Sequence, residues 1–228
     1  MCFSATASFS AAAVCGAIGV LTVRRASRPD LMLAVIPIIF ALHQALEGVV
    51  WLTNAEGWWG RCAGYDFAII AFCLWPIYVP VATWLSETDQ ARRRFMLGFL
   101  VLGAVVVAGA AWVLHKGLTI DFATNQIRYL PAKRYPLVFD YIYAATVTGP
   151  LLLHRNNYLR IFGGLILVFF GASILLFNPA RYSVWCFFAA VSSIVLYLFV
   201  ASRSASSRDR PAHEQSAPMA SASDTRSP

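Results

Sequence analysis

Residues Leu31–Thr53 read LMLAVIPIIFALHQALEGVVWLT. The run is long enough to cross a bilayer, for which about 20 apolar residues are needed. It nevertheless carries His43, Gln44 and Glu47 near its middle. His43 and Glu47 are four apart and share a helix face, with Trp51 one turn further on. A carboxylate at hydrocarbon depth is costly, so it turns toward a bundle interior and marks a candidate site. This stretch therefore predicts a membrane helix and says where a function would sit.

The rest of the chain agrees with that start. Of its 228 residues, 59% are hydrophobic and 13% charged, against about 25% charged in a soluble domain. Hydropathy windows predict seven spans: Ala7–Val23, Leu31–Thr53, Tyr65–Leu85, Phe95–His115, Pro136–Leu153, Leu159–Phe177 and Val184–Ala201. The expected fold is all-α, a polytopic seven-transmembrane-helix bundle in one domain over residues 1–201. Residues 202–228 are rich in Ser, Ala, Pro and mixed charge, which predicts a disordered cytoplasmic tail. Asn54–Gly64 reads as a loop whose Trp58 and Trp59 fit either an interfacial aromatic belt or a lid. In the longest connection, Thr119–Phe122 and Gln126–Leu130 alternate around Ala-Thr-Asn and predict a short hairpin. Pro37, Pro76, Pro80 and Pro150 fall inside spans, where each removes a backbone donor and favours a kink.

Basic residues set the orientation. Twelve of the 18 Lys and Arg fall on one side: Arg24, Arg25, Arg28, Arg92, Arg93, Arg94, Arg155, Arg160 and the four arginines beyond Ala201. The positive-inside rule places that side in the cytoplasm. The expectation is a bacterial inner-membrane protein, N-terminus outside and C-terminus inside. The net charge of +7 is then a topology signal, because scattered loop arginines do not make a nucleic-acid face. No basic region precedes the first apolar run, so that run does not read as a signal peptide. The five cysteines form no CxxC, which excludes zinc-ribbon and thioredoxin readings.

At about 1.5 Å per residue, Glu47 and Asp140 fall at similar depths in the outer half of the bundle. Tyr143 lies beside Asp140, Trp185 and Cys186 open the last span on the same side, and Cys2 precedes the first. Three readings of this layer stay open. One is a small-molecule or cation pocket of His43, Gln44, Glu47, Trp51, Asp140, Tyr143 and Trp185. Another is a divalent metal held by Cys2, His43 and Glu47 in a membrane enzyme. The third is structural, with His43 and Glu47 bonding neighbouring helices. Bis-histidine haem is disfavoured, since His115 and His154 lie at opposite rims. A retinal Schiff base lacks its lysine, and no GxSxG elbow supports a serine hydrolase.

The opening MCFSATASF, the stretch LHQALEGVVWL at Leu42–Leu52 and SVWCFFAAVSS at Ser183–Ser193 resemble an uncharacterised bacterial family of seven-span membrane proteins. The likeness covers Met1–Ala201. It implies a multi-span membrane protein and puts Cys2, His43, Glu47, Trp51, Trp185 and Cys186 in family-type motifs. It does not imply a ligand. The expected function is binding or sensing of a small ligand or ion in the outer-half pocket, with lipid as the surrounding partner. The alternatives are the metal enzyme and the structural protein.

Overall fold

The structure is a computed structural model that describes residues 4–123, 126–132, 137–177 and 180–208. The chain is mostly helical. Its elements are α1 (Ala5–Val23), α2 (Leu31–Thr53), α3 (Gly57–Ile69), a π-helical turn (Ile70–Leu74), α4 (Trp75–Ser86), α5 (Gln90–His115), β1 (Leu118–Ala123), β2 (Gln126–Pro131), α6 (Leu137–Leu153), α7 (Asn157–Phe177), α8 (Arg181–Ser192) and α9 (Ile194–Arg208). Helices α3 and α4 run on through the π turn as one rod, and α8 runs into α9 as another. Among the described residues, six rods are long and apolar enough to cross a membrane; α6 is apolar but shorter.

Small residues set the tightest packing. Helix α1 lies antiparallel against α2, with Gly16 facing Ala41, Gly19 against Ile38, and the Phe9 ring over Gly48. A side chain at Gly19 or Gly48 would collide with those partners, the close approach that small residues permit between apolar helices. Ser4 caps α1, its hydroxyl accepting from Ala7 N at 3.2 Å. Helix α2 stops at Asn54, whose φ of 50° is left-handed, a conformation asparagine tolerates.

The π turn has a sequence cause. A π turn makes each N–H reach back five residues, so Trp75 N–H serves Ile70 and the next carbonyl, Ala71 O, would need the N–H of residue 76. That residue is proline and has none. The Tyr143 hydroxyl from α6 donates to Ala71 O instead. Gly103 of α5 packs directly on the Pro76 carbonyl, where any side chain would clash. The expected disturbance around Trp75–Pro76 is thus a one-turn widening that ties α4, α5 and α6 together.

Strands β1 and β2 pair antiparallel with Ile120 opposite Tyr129 and Asp121 opposite Arg128. Alternation turns Ile127 and Tyr129 inward, both buried, and leaves Arg128 to ion-pair with Asp121. Ile120 packs on Gly64 and Leu118 N donates to Tyr65 Oη at 3.1 Å, so the hairpin closes one end of the bundle. We call this the hairpin end, and the opposite end the Asp30 end.

Two expectations about loops change. The stretch Asn54–Gly64 is helical from Gly57 onward, so only Asn54–Glu56 connects α2 to α3; Gly60 makes this possible by fitting against Ala55 and Thr53. The boundary drawn at Ala201 falls inside α9, which continues to Arg208 because Arg203 reaches the buried Asp30 at 3.0 Å. Residues 209–228 of the expected tail lie outside the described residues, as does Cys2.

Candidate functional site

Four residues of α2 converge at the hairpin end. On a helix of about 3.6 residues per turn, His43, Gln44, Glu47 and Trp51 occupy an arc of about 100°. His43, Gln44 and Glu47 are completely buried. The His43 ring stacks on Phe67 of α3 with centroids 3.9 Å apart, and Phe67 stacks on Tyr129 of the hairpin at 4.2 Å. Trp51 meets Phe122 of the hairpin edge-on. The hairpin therefore roofs this face of α2 through two aromatic contacts.

The polar atoms beneath that roof are only partly engaged. His43 Nε2 lies 3.1 Å from Phe67 O, so Nε2 carries the proton and Nδ1 is left as an acceptor. Ser183 Oγ of α8 donates to Glu47 Oε1. His43 Nδ1, both amide atoms of Gln44 and Trp51 Nε1 are buried with no hydrogen-bond partner among the described residues. Buried polar groups are partnered in the great majority of cases, by protein or by bound molecules.

Asp140 of α6 meets the same turn of α8 from another side. Tyr182 Oη donates to Asp140 Oδ1 at 2.9 Å, and Arg181 Nη2 lies 3.1 Å from Oδ2. Arg181, Tyr182 and Ser183 are consecutive, so one helical turn holds both buried acids. Neither partner set was legible beforehand, because hydropathy does not say which residues of one helix face another.

The expected pocket residues thus separate into two groups. His43, Gln44, Glu47 and Trp51 gather under the hairpin. Asp140, Tyr143 and Trp185 gather on the far side of α8, where Trp185 Nε1 donates to Ile166 O at 2.9 Å and its ring meets Tyr143. Of the proposed metal ligands, His43 and Glu47 are placed next to each other on α2. Among the described residues, no three His, Cys, Asp or Glu side chains cluster as a metal site would require.

The sequence matches one family over residues 1–211, a stretch that contains every element described above. The chain belongs to DUF6629, a family of unknown function. No curated protein and no solved structure matches it.

A second polar cluster, which the sequence reading missed, closes the Asp30 end. Asp30, buried at the start of α2, accepts from Ser27 at 2.7 Å, from Ser86 at 2.6 Å and from Arg203 at 3.0 Å. Glu87 accepts backbone N–H groups from Thr88, Asp89 and Arg155, at 2.7, 3.0 and 2.7 Å. His154 Nδ1 accepts Asn156 N at 3.0 Å. Burial pushes His154 below the usual histidine range and outweighs the upward pull of Glu87. Burial tends to raise the Glu87 carboxyl, but the hydrogen bonds from Asp89, Arg155 and Thr88 and the nearby His154 bring it below its ordinary value. The signal in the sequence was an acid bordering each of two apolar runs, Asp30 before α2 and Glu87 after α4.

Proposed function

We propose that the chain is a seven-span protein of the bacterial inner membrane, N-terminus outside and C-terminus in the cytoplasm, with its membrane domain in residues 1–201 and α9 continuing beyond that domain to Arg208. Six apolar rods of membrane length support the membrane part of this reading, the shorter apolar helix α6 is the seventh span we propose, and the skew of arginines supports the orientation. The biochemical role is binding or sensing of a small polar ligand or ion beneath the hairpin. One observation carries it: an acceptor on His43, a donor on Trp51 and both kinds on Gln44 are buried side by side next to Glu47, and nothing described in the protein engages them. A ligand offering both donors and acceptors would complete that set.

The test is thermal denaturation of the purified chain in detergent, against a panel of small polar metabolites and divalent cations. Ligand binding raises the midpoint with concentration, and both Gln44→Leu and Glu47→Gln remove the shift. If no compound shifts the wild type, or the shift survives both variants, the pocket is structural. A shift given by divalent cations alone, with metal retained after dialysis, would favour the enzyme reading built on His43, Glu47 and Cys2.

A further inference from the structure

Beside α8, two small cavities share Tyr143, Trp185 and Cys186 as lining, and the second reaches Ile36 and Phe40, one to two turns along α2 from His43. We propose that together they form a binding channel for a neutral lipophile: a hydrocarbon body carrying a carbonyl-type acceptor. This is a different ligand class at a different place from the polar pocket, and it rests on the membrane reading only for the source of the molecule.

The lining chooses the ligand. Most polar atoms along the channel are engaged within the protein. Tyr143 Oη donates to Ala71 O, Trp185 Nε1 to Ile166 O, and Tyr182 Oη to Asp140. What they present inward is ring face and alkyl group, with Ala71, Ala110 and Ala189 leaving room between the rings. A polar solute would lose its water and gain no partner there. An apolar body loses nothing and gains contact. One donor breaks the pattern. Trp75 lines the second cavity, is 4% exposed, and its Nε1–H has no partner among the described residues. Its ring is fixed by stacking on Phe40, centroids 4.5 Å apart. A fixed, buried, lone N–H on a side chain that lines an apolar cavity suits a single acceptor oxygen. The charged pair Asp140–Arg181 touches only the first cavity, by the start of α8.

The π turn contributes to the channel as well. Ala71 and Phe72 belong to it and line the first cavity, and such turns recur at functional sites.

Decylubiquinone and decylbenzene test the proposal, since they share a tail and differ in carbonyls. Binding is read from tryptophan fluorescence of the full chain in detergent, with Trp185→Phe isolating the Trp185 contribution. The expected result is saturable quenching of Trp185 by decylubiquinone, weakened about tenfold by Trp75→Phe, the worth of one hydrogen bond. Ala110→Phe should abolish it by filling the first cavity. Decylbenzene should bind about as weakly to the wild type as decylubiquinone does to Trp75→Phe. Quenching that rises linearly without saturation, or is unchanged in Ala110→Phe, overturns the channel. Equal affinity for the two probes overturns the acceptor. Should Trp185→Phe fail to fold, retention of decylubiquinone through gel filtration by wild type and not by Ala110→Phe decides the same question. Carbonate extraction of cell membranes is scored separately: release of the chain would refute the membrane reading and leave the channel to stand or fall on the probes.

Discussion

At the scale of single residues, the informative side chains are those whose polar atoms the fold leaves incomplete. Gln44 buries an amide with neither atom engaged among the described residues, and such a group costs about 1–3 kcal/mol. Gln44→Leu keeps the volume and removes that cost. We expect the ligand-free protein to gain about 1 kcal/mol, seen as a higher denaturation midpoint; a lower one would mean the amide is engaged within the fold. Ser183→Ala removes the donor to Glu47 and should cost about 1–3 kcal/mol by the same measurement. The α2 face was legible in the sequence because helical periodicity alone aligns His43, Gln44, Glu47 and Trp51. The partners of Glu47 and Asp140 were not, because hydropathy windows place spans without saying which faces meet. Nothing in the order Arg181-Tyr182-Ser183 announces that one turn serves two acids from α2 and α6.

At the scale of elements, the π turn, Pro76 and Tyr143 act as one device, and a double-mutant cycle exposes it. Tyr143→Phe strips Ala71 O of its donor and should destabilise by about 1–3 kcal/mol. Pro76→Ala restores a backbone N–H. The loss caused by Tyr143→Phe should therefore be markedly smaller in the Pro76→Ala background. Additive effects, measured by thermal denaturation in detergent, would show that the tyrosine and the proline act independently. Many helix edges were readable to within a few residues because long apolar runs dominate any window, and α2 begins and ends where the sequence placed it, but the starts of α3 and α5 and the end of α9 lie five to eight residues further out. The hairpin was readable from its alternation. The π turn was not, since a five-residue reach depends on which carbonyl finds an outside donor. The start of α3 was missed because Gly57, Trp58, Trp59 and Gly60 read as loop and aromatic belt, whereas Gly60 is there to let a helix begin close to Ala55.

At the scale of the whole molecule, the Asp30 end is a clamp of three rods. Asp30 of α2, Ser86 of α4 and Arg203 of α9 meet in one cluster. Composition hid this, because Arg203 sits among serines that read as tail. Truncation after Ala201 leaves Asp30 buried without its cation and should cost about 3–5 kcal/mol; truncation after Arg208 keeps every described contact and serves as the control. Acid should loosen the same end. His154 has a folded-state pKa below its unfolded value, so the unfolded chain binds the proton first and stability falls as pH drops below about 6.5. Glu87 is also depressed, so its contribution is present above its unfolded pKa and is lost only at lower pH, as pH falls through the folded value. The denaturation midpoint should therefore decline in two stages, and His154→Phe should blunt the first. A midpoint flat from neutrality to about pH 5 would show that His154 is not buried as a neutral ring. For orientation, a reporter fused after Arg208 should behave as cytoplasmic; a periplasmic signal would invert the bundle.

Both acids at the hairpin end take hydrogen bonds from α8, which is made almost last. A ribosome has made α2 and α6 well before Arg181, Tyr182 and Ser183 emerge. During that interval Glu47 and Asp140 sit in their helices without those three groups. An incomplete chain thus differs from a finished one in a chemically recognisable way, carrying two acids whose α8 donors are not yet made. Nascent chains stalled before Arg181 should accordingly be far shorter-lived in cells than full-length protein, and the first turn of α8 is the seal that marks assembly as finished.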